Sequence, residues 1–208
     1  TFGKPLSDLT KFKRIVFLKH FDDYLLRRPN KKSLLESRIV HGLANFSLPS
    51  FKFLKENKPD TKLYLDRACS HINIQSKILE EEYAKFNLKY IKTEKQKKMH
   101  TDEYKIADKI IVPSNKTKQT FLDQGIPEYK LTKIDLTSNF NKNNNPLTNK
   151  IHTQQDHKLV VGFLGGSFIR KGLIYLLRAW DKLNTSNCIL LLKINANQLI
   201  WNEEAKKI

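Results

Sequence analysis

Several features that usually announce a function are scarce in this 208-residue chain. It has only two cysteines, Cys69 and Cys188, far apart and without metal-ligand spacing. That argues against a disulfide scaffold or a thiolate metal centre and fits a reducing compartment. No run approaches the ~20 apolar residues needed to cross a bilayer. The opening "TFGKPLSDLT" has neither an initiator Met nor the basic-then-apolar pattern of a secretory leader. A cytoplasmic protein is expected, with contact at most at the inner face of the membrane. Glycine is sparse, and its seven copies form neither G-x-G-x-x-G nor G-x-x-x-x-G-K-[ST]. A dinucleotide fingerprint and a P-loop are therefore unsupported. There is no D-x-D pair to hold a metal-bound diphosphate.

Acidic residues are also in short supply, and the formal net charge is +17. A basic chain can bind nucleic acid or an anionic membrane. Only seven of its 38 cationic side chains are Arg, however, and the lysines are scattered along every segment. Nucleic-acid readers lean on the guanidinium fork, so nucleic acid is disfavoured as a partner. Peripheral contact with an anionic membrane stays open. So does an origin of the charge in AT-biased coding, which also enriches Asn and Ile.

What is present is an alternation of strand and helix patterns. Residues 11–28 read as a helix with Phe17, Phe21, Tyr24 and Leu25 on its apolar side, and Ser33 reads as the cap of a further helix. "RIVHG" reads as a strand ending at His41 and Gly42, and "PSFKFLKENKP" as a helix. "KLYLD" begins a strand, and Asp66 and Arg67 at its end suggest a local ion pair. "NIQSKILEEEYAKFNL" is an amphipathic helix with Glu81 and Lys85 spaced as an i,i+4 pair. A helix over 94–107, the strand "KIIVPS", a helix capped by Ser114 and ended by Gly125, and the strand "KLTKIDL" follow. Residues 141–157, "NKNNNPLTNKIHTQQDH", read as a linker. Beyond it come a strand at 158–165, a helix at 171–183, the buried strand "CILLLKI" and the start of a last helix. This order implies parallel α/β sheets. About fifty residues follow the linker, fewer than the ~100 of a doubly wound domain, so the sequence is expected to be incomplete at its C-terminus, and at its N-terminus too.

The stretch "LVVGFLGGSFIRKGLIYLLRAW", residues 159–180, concentrates the chemistry. A strand runs into Gly165 and Gly166, and Arg170-Lys171-Gly172 opens a helix. Cations at a helix start oppose the helix dipole. Glycines and cations together there suit an anion, most often phosphate. Exposed cations at an ordinary turn are the plain alternative. His41 and His71 stand at or just after strands, where open α/β sheets bind ligands. Each also has a structural reading, as a packing or helix-entry histidine.

The stretch resembles the start of the C-terminal domain of GT-B glycosyltransferases of family 4, also called group 1. There a strand ending in glycine is followed by an R/K-K-G helix start and an apolar "LL-x-A" helix. "EYKIADKIIVPSNKTKQTFLDQGIPEYKLTKI" and "YLDRACSHINIQSKILEEEY" resemble segments of the N-terminal domain in that family, and "IVHGLANFSL" its cleft-facing strand. The resemblance implies two Rossmann-like parallel-sheet domains, both incomplete here: residues 1–140, the linker 141–157, and a donor-binding part over 158–208. It implies a retaining, metal-independent transfer of sugar from a nucleotide-sugar donor to a hydroxyl acceptor. Gly165, Gly166, Arg170 and Lys171 would bind the donor diphosphate, and His41 and His71 would line the site of transfer. The Arg that many members place after the first glycine is Gly166 here, and the later E-x7-E region is absent from this chain. The alternative is a basic α/β module that binds nucleic acid or an anionic membrane surface.

Overall fold

The computed structural model describes residues 26, 28–90, 92–137, 159–166, 169–183 and 186–194. The chain divides into two compact units, Thr1–Thr137 and Ser138–Ile208. The expected helix at 11–28, the linker and the last helix lie outside the described residues, except for Leu26 and Arg28.

The first unit runs α1 (Arg28–Glu36), β1 (Ile39–Leu43), α2 (Leu48–Asn57), β2 (Lys62–Asp66), α3 (Ile72–Ala84), α4 (Glu94–Ile106), β3 (Lys109–Val112), α5 (Asn115–Leu122) and β4 (Leu131–Lys133). Its four strands are parallel and lie in chain order, β1-β2-β3-β4. Right-handed crossovers in one unbroken direction place all the connecting helices on one face. Burial follows that rule. Leu63, Leu65, Ile110, Val112 and Leu131 face a core completed by Phe51 and Leu54 of α2, Ile72 of α3, Tyr104 of α4 and Phe121 of α5. The alternate residues stay open, with Ile39 and Leu43 58% and 59% exposed.

The second unit contains β5 (Leu159–Gly165), α6 (Leu173–Leu183) and β6 (Cys188–Ile194). β5 and β6 pair in parallel, from Leu159 opposite Cys188 to Gly165 opposite Ile194. Ile169, Leu173, Ile174 and Leu177 are buried, while Val160, Leu164, Ile189 and Leu191 are exposed, so β6 is not the buried strand expected from its apolar run. Both units are thus parallel α/β layers with one covered sheet face among the described residues.

Local chemistry explains the element ends. Pro49 sits in the first turn of α2, where no intrahelical bond needs its missing N–H. Thr93 and Gln96 form a reciprocal capping box at α4, and Ser114 caps α5 through the Thr117 N–H. Four expectations need correction. Ser33 lies inside α1 rather than capping it. Lys85 pairs with Glu82 at 2.7 Å, one residue from the expected Glu81. β4 stops at Lys133, because the partner strand β3 ends at Val112 before Pro113. The last helix described starts at Leu173, so Arg170 and Lys171 belong to the turn before it.

Candidate functional sites in the two units

In the second unit, the C-terminal end of β5 leads through Gly165 and Gly166 to a turn over 169–172. The Gly172 N–H closes that turn on the Ile169 carbonyl at 2.9 Å. Gly172 has φ +76°, a conformation that costs glycine little and other residues more. Its carbonyl accepts the first N–H bonds of α6, from Tyr175 and Leu176. A Cβ on Gly165 would lie 3.0 Å from the Phe163 ring and 3.4 Å from the Lys171 Cβ, so the strand end and the cationic turn are in close approach. Gly166 is exposed beside them. Arg170 and Lys171 are both exposed and, among the described residues, neither has a carboxylate partner. Two unpaired cations beyond the C-terminal end of a parallel strand can hold an anion.

In the first unit, His41 lies mid-strand, because β1 continues to Leu43. Its side chain is exposed on the open sheet face, with Nε2 3.9 Å from Asp66 Oδ2. That is an ion-pair distance, longer than a hydrogen bond. Asp66 therefore looks toward His41. Its neighbour Arg67, one residue past β2, turns the other way, contrary to the expected Asp66–Arg67 pair: its N–H still bonds the Ile111 carbonyl of β3 at 2.9 Å, and successive residues of extended chain point to opposite faces. Arg67 is only 5% exposed. Its Nη2 donates to the Ser70 carbonyl and to Gln75 Oε1, at 3.0 and 2.6 Å.

His71 is placed as a structural histidine. It is 3% exposed and packs against Tyr104 and Phe121, with ring centroids 5.0 and 5.2 Å away. Its Nδ1 accepts the Asn73 N–H at 3.3 Å and so caps α3. That bond leaves the neutral ring's proton on Nε2. Burial, with help from the Arg67 charge, pushes the His71 pKa down to about 4. His100, fully buried nearby, is pushed down to about 3 by burial and by Arg67, Lys92 and His71.

Sequence reasoning passed over Glu103. This carboxylate comes from α4 and is fully buried. Its Oε2 accepts the Asn45 N–H at 2.9 Å and its Oε1 the Ser47 N–H at 3.0 Å. It thereby serves the start of α2, where the Ser47 side chain offers no cap and instead donates to the Leu43 carbonyl. Burial raises the Glu103 pKa, opposed by the N–H groups of Asn45, Ser47 and Leu48 and by Arg67. Glu103 opens the run "EYKIAD", but a lone Glu in a polar helix reads as solvated. Asn45 carried no signal either, although Asn is among the few residues that tolerate its φ of +82°.

No protein-family profile matches the chain, and no curated protein matches it. Among the described residues, no helix is long and apolar enough to cross a membrane.

Proposed function

We propose that this chain belongs to a retaining glycosyltransferase that uses a nucleotide-sugar donor and a hydroxyl acceptor. The observation that carries the reading is the turn after β5, where Arg170 and Lys171 stand exposed and unpaired among the described residues, beside Gly165 and Gly166. A leaving nucleoside diphosphate gains charge as the glycosidic bond breaks. Cations fixed where that charge develops stabilise the transition state more than the ground state. Arg170 and Lys171 take that role here, and the glycines let the backbone approach the phosphates. No residue in this account is assigned to a metal. His41, exposed and beside Asp66, is the imidazole left to position the reacting groups. His71 is withdrawn from that role, because its buried ring is committed to capping α3.

The test is titration of the 208-residue chain with uridine diphosphate, followed by amide NMR. Resonances of residues 165–172 are expected to shift, and Lys171→Ala is expected to weaken binding about tenfold, as for loss of one charge-assisted hydrogen bond. The melting temperature should stay unchanged, because Lys171 is exposed and has no partner among the described residues. Unshifted resonances at the turn, or equal binding by the variant, would leave these side chains as solvated cations.

A further inference from the structure

The loop between β1 and α2 is built at a cost that its local sequence does not require. Asn45 holds φ +82°, outside the conformations that side-chain-bearing residues favour. The loop is pinned by Glu103, a fully buried carboxylate 58 residues away in sequence from Asn45. A local cap was available in Ser47, yet its hydroxyl points back to the Leu43 carbonyl. Strain held in place by surrounding structure gathers where a ligand is gripped. The position agrees with this, since Asn45 follows β1 by two residues at the C-terminal edge of a parallel sheet, where open α/β sheets bind ligands.

The Asn45 side chain is partly exposed and its carboxamide makes no hydrogen bond among the described residues, whereas its backbone N–H is fully engaged. A carboxamide offers a donor and an acceptor side by side, which matches a hydroxyl group. An anion is a poor match, because the start of α2 already holds the Glu103 carboxylate.

We infer that Asn45 is a ligand-contacting residue for a neutral, hydroxyl-bearing molecule, and that Glu103 is its positioning residue. The choice of carbohydrate as that molecule rests on the glycosyl-transfer reading; the geometry of the Asn45 loop does not. Glu103 acts through the backbone. Its two oxygens fix the N–H groups on either side of Phe46, and so fix the direction in which residue 45 leaves the sheet edge.

The experiment is an NMR titration of the full 208-residue chain with maltose as the hydroxyl-bearing probe. The side-chain amide resonances of Asn45 are expected to shift. Asn45→Gly keeps the left-handed backbone and removes the carboxamide. It should melt no lower than the parent chain and bind maltose about tenfold more weakly, as for one lost hydrogen bond. In Glu103→Gln one carboxylate oxygen becomes an NH2 group, which cannot accept. Amide exchange at Asn45 and Ser47 should then quicken by about tenfold or more, while Leu65 and Ile110 in the sheet keep their protection, and maltose should bind about tenfold more weakly although the Asn45 carboxamide is intact. Unshifted Asn45 resonances, or undiminished binding by Asn45→Gly, would overturn the inference. So would equal loss of protection at all four amides in Glu103→Gln. The uridine diphosphate titration separates the two proposals: binding of the diphosphate without maltose removes only the Asn45 site, and the reverse removes only the donor site.

Discussion

Gly42 shows how tightly single residues are held in the first unit. A Cβ at this position would collide with the Ser47 hydroxyl, lie 2.7 Å from the Ser47 Cβ and lie 3.0 Å from the Phe51 ring. The clash falls on the start of α2 and on a core side chain, and neither can swing into solvent. Gly42→Ala should therefore destabilise the first unit by about 1–3 kcal/mol, the usual range for overpacking. Both tryptophans, Trp180 and Trp201, lie in the second unit, so their emission does not report this loss. Urea unfolding followed by amide signals of β1 and β2 does. Adding Ser47→Gly should recover part of the stability, because it removes the nearest atoms. Equal midpoints for Gly42→Ala and the parent chain would show that α2 can move away from the strand at little cost. The same crowding explains why "RIVHG" reads correctly as a strand while its glycine carries no turn: here glycine serves close packing, and the helix that requires it begins several residues later.

At the scale of elements, the helix ends show which signals are local. α5 ends in a Schellman arrangement. The Ile126 N–H reaches the Phe121 carbonyl, the Gly125 N–H reaches that of Leu122, and Gly125 holds φ +78°. α3 ends in the same way, from Leu88 to Tyr83 and from Asn87 to Ala84, but with Asn87 at φ +54° in the glycine position. Only glycine takes that conformation without penalty. Asn87→Gly is thus expected to raise the stability of the first unit by about 0.5–1 kcal/mol, the lower end of what helix-cap improvements give. Thermal melts monitored by amide signals of α3 measure it, and a lower melting temperature would mean that the Asn87 side chain contributes more than the backbone costs. Gly125 was legible as a helix end because glycine signals it. The equivalent end at Asn87 was not, because Asn is common in many other settings.

Across the whole first unit, stability is tied to pH through two histidines buried neutral. His71 and His100 have folded-state pKa values of about 4 and about 3, below the ordinary 6.5. Between those values and 6.5 the unfolded chain binds protons that the folded chain refuses. Stability is thus fully present above pH 6.5 and is lost as pH falls toward 4, by up to roughly 1.4 kcal/mol per pH unit for each histidine. Glu103 works in the opposite sense. Its raised pKa lets the folded state take up a proton before the unfolded state does, which offsets part of the loss. Urea titrations at pH 7.5, 6.5 and 5.5, read on the first unit, should show little change across the first step and a clear drop across the second. A flat profile would contradict burial of these rings in neutral form.

Features that depend on neighbours a few residues apart are legible in the amino-acid sequence. Short apolar runs specified β2, β3, β5 and β6, and 3.6-residue spacing specified α3 and α6. Ser114 and Gly125 marked the ends of α5. Parallel pairing followed from the order of strands and helices, since a helical crossover returns the chain in the same direction. The glycine–cation turn could also be read, because its residues adjoin. The three-dimensional packing decided that the helices described in the first unit share one face, which depends on strand order and not on any one segment. It decided that His71 is a buried cap, that Arg67 turns away from Asp66, and that Glu103 serves a loop 56 to 58 residues away in sequence. A polar side chain carries the same letter whether it faces water or a buried N–H. Which of the two it meets is set by the packing of distant segments, and that packing is where the candidate Asn45 site arises.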